Sequence, residues 1–262
     1  MDKYSAHLFL IEDEIYDNLI LNARYIAQRN KNQAGEIMFT EELRSNLAAK
    51  HLLNHDFYKL WSEGKLNQEI LADYANQYYK HVEAFPRYIS LIHSQCTDLN
   101  DRQILLENLI EEERGEENHP KLWRDFAIEL GVSQNDLINT KEYKNTTILV
   151  EKFFDLCKKS YASGLGALYA YEYQTPAVAE SKINGLKEFY QITSEKALKF
   201  FEVHKGADVW HSDEVAGLIA TLSPAEKEEA KQAALEAADV LWGFLDGMMV
   251  AHSLTRQNCM TH

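Results

Sequence analysis

Apolar residues recur at intervals of three and four along nearly the whole chain, which is the pattern of helices that bury one face. The apolar–polar alternation of half-buried strands is hard to find anywhere. The sequence therefore predicts an all-α protein. The predicted helices lie near residues 8–28, 40–53, 67–96, 99–114, 120–130, 146–160, 161–189, 193–221 and 224–252, with a kink expected at Pro86.

Local signals mark the ends of several predicted helices. Ser223, Pro224 and Glu226 form a capping box with a first-turn proline, which predicts that the last helix begins there. Gly64 and Gly131 follow apolar periodic segments, where a helix favours a residue in the left-handed conformation at its carboxyl end. These signals indicate where separate helices begin and end.

The polar stretch at residues 29–35 is the best candidate for a boundary between structural units. We expect an N-terminal helical extension over residues 1–38, one helical domain over 39–252 and a short tail over 253–262. A chain of 262 residues is long enough for one substantial core. Eight or nine helices around one core form a bundle in which side chains from several helices converge.

The charge balance limits the classes of partner. The chain has 41 acidic and 27 basic residues, and its formal net charge is -14. A surface of this sign repels phosphate backbones and anionic lipid surfaces. No segment contains the roughly 18 consecutive apolar residues that a membrane-spanning helix requires. We expect neither a nucleic acid nor a membrane as partner.

Cysteine usage and the amino terminus indicate the cytoplasm. Cys96, Cys157 and Cys259 are far apart and form no C-x-x-C pair, so the sequence predicts neither a disulfide framework nor a structural zinc site. The first residues have too short an apolar run for a signal peptide and are too acidic for a transit peptide.

Three polar residues share one face of a predicted helix. His204, Asp208 and His211 are spaced at i, i+4 and i+7, which places them within roughly 60° of arc. Aromatic and aliphatic neighbours indicate that this face is largely buried, and a divalent metal ion would satisfy a buried group of this kind. The alternative is an exposed polar stripe on an amphipathic helix.

Two further segments offer carboxylates. Glu112 and Glu116 both precede His119, one at a spacing of seven and the other as an E-x-x-H pair, and the spacing does not choose between them. The alternative is a solvated acidic surface in which His119 caps a helix. Glu172 lies inside an apolar, aromatic helical segment, where an unpaired carboxylate needs a partner.

The combined donor set of carboxylates and histidines from separate helices suits iron or manganese better than a structural zinc ion. A ferritin-like bundle is the structural alternative. That fold requires a second E-x-x-H on a partner helix, and Asp208 with His211 is only an imperfect counterpart of Glu116 with His119.

The segments His55–Ser94, Glu112–Trp123, Tyr169–Pro176 and Ala207–His211 carry a resemblance to a known family. They resemble the bacterial relatives of the Chlamydia protein associating with death domains, which belong to the haem-oxygenase-like dimetal oxidases. The resemblance covers most of the chain from about residue 40 to 250. It implies a TenA/PqqC-like helical bundle, to which this chain adds an N-terminal helix, and two transition-metal ions, Fe/Fe or Fe/Mn. The ligands that it implies are Glu112, His119, Glu172, His204, Asp208 and His211, with Glu112 preferred to Glu116.

The resemblance also implies a reaction with dioxygen and a reductant as co-substrates. In that reaction p-aminobenzoate for folate synthesis forms from a tyrosine of the protein itself, with a lysine as amine donor. The matching residues are Tyr58, Tyr74, Tyr171 and Lys182, and Tyr58 is favoured as the consumed residue. By residue type alone, the tyrosines are more often core aromatics and Lys182 more often a solvated lysine.

Two other functions use the same ligands. One is a dimetal oxidase that acts on a free small molecule, such as a fatty acid or an amino acid, in a separate pocket. The other is a non-catalytic protein that stores metal or binds a partner. The resemblance suggests a homodimer. Because the first 38 residues have no counterpart in the family and the tail after Ala251 differs from it, a death-domain partner is not expected.

Overall fold

The computed structural model describes residues 38–255, except for the side chains of residues 207–209. The chain divides into two compact units, Met1–Arg44 and Ser45–His262. Of the first unit, residues 38–44 are described, and they begin helix α1, which spans residues 38–48. The predicted helix at 8–28 and most of the predicted tail lie outside the described residues. The domain boundaries inferred from the sequence remain predictions.

All regular elements in the described part of the second unit are helices, which confirms the predicted all-α class. After a 3-10 turn at Leu52–Asn54 it continues through α2 (Asp56–Ser62), α3 (Gln68–Gln95), α4 (Leu99–Glu113), α5 (His119–Glu129), α6 (Gln134–Asn139), α7 (Lys144–Lys159), α8 (Tyr161–Glu172), α9 (Thr175–Glu188), α10 (Glu195–Thr221) and α11 (Pro224–Ala251). None of the helices within residues 38–255 is long and apolar enough to cross a bilayer.

Helix α8 forms the centre of the bundle. Its residues from Ala162 to Glu172 are all buried, and it packs against α3, α7, α10 and α11. The approach to α11 is close, because a Cβ atom added to Gly166 would overlap the backbone of Ala230. Small residues at this contact therefore allow the backbones of α8 and α11 to lie close together. Glu172, the last residue of α8, is buried in the interior of the bundle.

The capping signals in the sequence are confirmed. Ser223 and Glu226 form the reciprocal capping box at the start of α11. Gly64 and Gly131 have φ values of +65° and +91°, which a residue with a side chain rarely adopts. Helix α3 continues through Pro86 as one element.

The predicted helix at 161–189 is wrong as a single element, because it is divided into α8 and α9. Pro176 lies in the first turn of α9 and has no N–H to donate to the preceding turn. The side chain of Gln174 occupies the break: its Nε2 donates to the carbonyl of Ala170 and its Oε1 accepts from the backbone N–H of Leu52, both at 2.8 Å. Helix α8 therefore ends at Glu172, and Lys182 belongs to the separate helix α9.

Candidate metal centre

Glu112 and His119 meet although they belong to different helices. Helix α4 ends at Glu113, and the intervening turn includes Gly115 with a φ of +79°. Asn118 caps α5 by accepting from the backbone N–H of Lys121 at 3.0 Å. The turn brings Nδ1 of His119 to 2.9 Å from Oε1 of Glu112, and both side chains are buried. Glu116 lies in the turn and is exposed.

His204 completes a buried triad with these two residues. One potential ligand atom from each of Glu112, His119 and His204 lies within 4.8 Å of the other two. The Nδ1 of His204 donates to the carbonyl of Phe200 at 2.6 Å. Because a carbonyl only accepts, Nδ1 carries the proton, and Nε2 keeps its lone pair in the neutral ring. This tautomer is the one that binds a metal ion through Nε2.

The electrostatics of the triad keep its carboxylate ionised. Burial alone raises the pKa of Glu112, but the nearby rings of His119, His204 and His211 hold its pKa below the ordinary value. A carboxylate in the charged form is the state that a metal ion requires. The triad thus offers a charged carboxylate to a cation, and its histidines would bind the ion as neutral rings.

The remaining residues of the predicted ligand set lie on α8 and α10. His211 is buried, and its Nε2 is 3.3 Å from Oε2 of the partly exposed Glu111. Glu172 is buried at the end of α8. The backbone of Asp208 belongs to α10, but its side chain is outside the described part of the structure. We use the term ligand cluster for the five candidate ligands with described side chains, which are the triad of Glu112, His119 and His204 together with Glu172 and His211.

Asn108 is a residue at this site that the sequence analysis missed. It lies one turn before Glu112 on α4, is buried, and donates from Nδ2 to Oε1 of Glu172 at 2.6 Å. Its Oδ1 is buried without a hydrogen-bond partner among the described residues. The spacing of four between Asn108 and Glu112 was the available signal, because it places both side chains on one face of α4.

A second group of predicted residues forms a chain of hydrogen bonds. The hydroxyls of Tyr58 on α2 and Tyr74 on α3 are 2.9 Å apart. Nζ of Lys182 on α9 donates to the hydroxyl of Tyr74 at 2.7 Å. All three residues are buried. Burial raises the pKa of the Tyr58 and Tyr74 phenols well above the ordinary value, so both keep their protons.

Five rings surround Nζ of Lys182, and we call them the aromatic cage. The distances from Nζ to the ring centroids lie between 5.0 and 5.4 Å for Tyr58, Tyr74, Tyr78, Trp123 and Phe201. Burial in this environment lowers the pKa of the Lys182 amine to about 7. At neutral pH a substantial share of Lys182 is thus the uncharged amine.

A narrow cavity joins the aromatic cage to the ligand cluster. Its volume of about 20 Å³ leaves room for about one water molecule. Tyr58, Tyr171, Lys182 and His204 line it, together with apolar side chains from α9 and α10. Tyr74 is not among the lining residues. The ring of Tyr171 packs on that of Phe85, with centroids 4.4 Å apart.

Comparison with known proteins decides the family. The profile of a haem-oxygenase-like family described as "iron-containing redox enzyme" matches residues 72–242, which is more than half of the chain. The chain belongs to this family. It is accordingly a redox enzyme of the haem-oxygenase-like class, and the matched region includes the ligand cluster, Tyr74 and Lys182.

Sequence relatives of this haem-oxygenase-like enzyme share a name. It is 43% identical over 211 residues to a 4-aminobenzoate synthase from Chlamydia pneumoniae, covering 80% of this chain and 94% of the relative. It is 39% identical over 222 residues to a 4-aminobenzoate synthase from Nitrosomonas europaea, covering 80% of this chain and 90% of that protein. The resemblance inferred from the sequence is confirmed.

Solved structures support the fold. A CADD-like protein of unknown function from Nostoc punctiforme superposes with a TM-score of 0.70 at 18% identity, covering 83% of this chain and 98% of that chain. A TenA homologue from Pseudomonas syringae gives a TM-score of 0.69 at 19% identity, covering 81% and 93%. The predicted TenA-like bundle is thus confirmed.

Proposed function

We propose that this haem-oxygenase-like enzyme is a 4-aminobenzoate synthase that takes the aromatic ring from its own Tyr58 and the nitrogen from Lys182. The observation that carries the proposal is the cavity of about 20 Å³ lined by Tyr58, Lys182 and His204. An amine, a phenol and a candidate metal-binding histidine thus border one enclosed space. The names of the relatives point to the same product.

The ligand cluster fits a metal pair of the kind used by iron-containing redox enzymes. It combines buried carboxylate and imidazole donors, and the protonated Nδ1 of His204 leaves its Nε2 available. We propose Glu112, His119, Glu172, His204, Asp208 and His211 as the ligands of Fe/Fe or Fe/Mn. When bound, these ions would supply oxidising power from dioxygen and a reductant.

The chemical relation between tyrosine and the product supports a ring taken from the chain. In 4-aminobenzoate the nitrogen lies para to the carboxyl carbon, as the hydroxyl oxygen of tyrosine lies para to Cβ. The lysine nitrogen would replace the hydroxyl on the oxidised ring, and the hydroxyl oxygen would leave as water. Cleavage of the Cα–Cβ bond with oxidation of Cβ to the carboxyl carbon, and cleavage of the Cε–Nζ bond of the lysine, would then give 4-aminobenzoate, with dioxygen as the oxidant and the added reductant supplying the remaining electrons. The amine must be uncharged to attack, and burial lowers the pKa of Lys182 to about 7.

Each residue of the hydrogen-bonded chain has a proposed role. Tyr58 holds its proton until oxidation and borders the cavity, which favours it over Tyr74 as the consumed residue. Tyr74 holds Nζ of Lys182 at 2.7 Å and links it to Tyr58. Tyr171 lines the same cavity as Tyr58 and His204 and is a candidate for relaying oxidation to Tyr58.

An oxidase of a free fatty acid or amino acid would need space for that substrate. The cavity beside His204 has room for about one water molecule, which suits dioxygen or water but no larger substrate. The site thus favours a substrate that belongs to the chain. We further propose that the enzyme acts in the cytoplasm, in line with the unpaired, buried Cys96 and Cys157. A homodimer also remains a proposal.

Product yield tests the proposal. Full-length protein loaded with iron, or with iron and manganese, and given a reductant and dioxygen should release 4-aminobenzoate without an added aromatic precursor. Yield should reach a plateau at or below about one product per chain, and the intact mass of the chain should fall. Product that accumulates well beyond the number of chains would show a free substrate and a conventional catalyst.

A further inference from the structure

The aromatic cage surrounds the end of Lys182 with walls from four helices. Tyr58 belongs to α2, Tyr74 and Tyr78 to α3, Trp123 to α5 and Phe201 to α10, whereas Lys182 belongs to α9. All five ring centroids lie 5.0 to 5.4 Å from Nζ. Within the described residues, the hydroxyl of Tyr74 is the hydrogen-bond partner of Nζ.

Contacts that do not involve Lys182 hold these walls in place. Nε1 of Trp123 donates to the carbonyl of Ala75 at 2.7 Å. The rings of Tyr74 and Tyr78 stack with centroids 5.6 Å apart. Phe201 packs edge-to-face on Trp123, with centroids 5.9 Å apart. The shape of the cage is thus set by the bundle core and does not depend on the lysine.

The chemistry of the walls is that of an alkylamine site. The rings enclose an apolar space around the end of the side chain, and burial there favours the uncharged form of an amine, as the lowered pKa of Lys182 indicates. The Tyr74 hydroxyl can accept from an ammonium group or donate to an uncharged amine. Apolar walls also hold the methylene groups of the ligand. Recognition therefore resides in the cage and not in the covalent link between Nζ and the backbone.

We propose that the aromatic cage is a binding site for a primary alkylamine, in which Tyr78, Trp123 and Phe201 are positioning residues, and that it takes a free amine once the lysine amine is removed. The inference rests on the proposed function only where it treats the bound amine as the nitrogen source. Binding itself requires neither metal nor dioxygen.

The substitution Lys182→Ala with n-propylamine tests the proposal. Alanine keeps Cβ, and n-propylamine reproduces the missing Cγ, Cδ, Cε and Nζ atoms. Calorimetry on the full-length variant should give a dissociation constant of about 0.1 to 1 mM for the uncharged amine, near the limit for so small a ligand. The apparent affinity should fall as the pH is lowered and the amine in solution takes up a proton. Propan-1-ol has the same shape without the amine, and at high pH it should bind about tenfold more weakly, because an uncharged amine is the stronger acceptor for the Tyr74 hydroxyl.

Two variants serve as matched controls. Lys182→Met fills the cage with an unbranched chain that has no amine, so n-propylamine should not bind. Adding Tyr74→Phe to Lys182→Ala keeps the ring but removes the hydroxyl that contacts Nζ. That change should weaken n-propylamine binding on the order of tenfold and bring it close to that of propan-1-ol. No n-propylamine binding to a folded Lys182→Ala chain, or equal binding of amine and alcohol, overturns the proposal.

A measurement on the unsubstituted chain decides the matter if Lys182→Ala does not fold. Rings around Nζ should shift the ε-methylene proton resonances of one lysine upfield from those of the others, and Lys182→Met should remove that signal. If no lysine shows such a shift, the cage does not exist in solution. Because these tests involve no turnover, they succeed or fail independently of whether the chain forms 4-aminobenzoate.

Discussion

The ligand cluster and the aromatic cage both bury ionisable groups, but they do so with opposite results. In the ligand cluster, three histidines outweigh the effect of burial and lower the pKa of Glu112, so the carboxylate stays charged. In the cage, burial without an opposing charge lowers the pKa of Lys182 to about 7, so the amine tends to lose its charge. A metal ligand must be charged and a nucleophilic amine must not. The two surroundings match these two requirements.

The largest expected effect is a loss of bound metal when a buried residue of the ligand cluster is replaced, compared with a replacement at a nearby exposed position. His211→Ala or Glu172→Ala should each remove most of the bound metal and all product, because each deletes a buried donor. Glu116→Ala should change metal content little, since Glu116 is exposed in the turn between α4 and α5. Elemental analysis after anaerobic loading makes the measurement. Full occupancy in both of the first two variants would contradict the ligand assignment.

A second pair of substitutions should break the cage's chemistry and leave the ligand cluster intact. Tyr58→Phe and Lys182→Arg should abolish product, because one removes the phenol and the other supplies a group that keeps its proton. Metal content and oxygen uptake should stay close to those of the unsubstituted chain. Tyr88→Phe is the matched control, since Tyr88 is buried but does not line the cavity. Undiminished product from Tyr58→Phe would show that another ring is consumed.

The third prediction concerns stability and pH. The pKa of Lys182 is about 7 in the folded chain against 10.5 as its ordinary value. Burying the ammonium group therefore costs stability fully below pH 7, and the cost disappears as the pH rises towards 10.5. Lys182→Met should thus be more stable than the unsubstituted chain at pH 6.5, on the order of a few kcal/mol.

The advantage of Lys182→Met should shrink steadily between pH 7 and pH 10. Urea denaturation at several pH values measures it, and taking the difference from the unsubstituted chain cancels the titration of other groups. Lys187→Met, at an exposed position on the same helix, controls for the loss of a lysine. A stability difference that stays constant over this pH range would contradict a buried, largely discharged amine.

The smallest expected effect concerns Asn108, which holds Glu172 through a hydrogen bond of 2.6 Å. Asn108→Leu keeps a similar volume without the donor, and it should weaken metal affinity about 10- to 100-fold, as is usual when a residue that orients a ligand is lost. Gln103→Leu, on the exposed face of α4, is the control. Competition with a metal chelator would detect the change. Equal affinities for both variants would assign Asn108 to packing alone.

The helical fold and the long helices could be predicted because a buried face repeats over many turns. Helices α2 and α6 were missed because they have seven and six residues, too few for such a period to show. The N-cap of α2 is also an unusual one: Nδ1 of His55 accepts from the backbone N–H of Phe57 at 3.0 Å. Short helices with uncommon caps leave little trace in a sequence.

The two regions of the site differed in how far the sequence revealed them. His204 and His211 share one helix, so their spacing was visible, whereas the choice of Glu112 over Glu116 came from family resemblance. The burial of Lys182 had no local signal. Its partner Tyr74 is 108 positions away, and its cage draws on four other helices. Contacts of that range follow from helix packing, which periodicity alone does not determine.

The most direct test of the central claim is the origin of the product's ring. Protein made with ring-¹³C tyrosine, purified, loaded with metal and exposed to dioxygen and a reductant in unlabelled buffer should release 4-aminobenzoate that carries the full ring label. Peptide mapping of the spent chain should then place the loss at Tyr58. Unlabelled 4-aminobenzoate from the labelled chain would contradict the account, because the ring would have come from a free substrate.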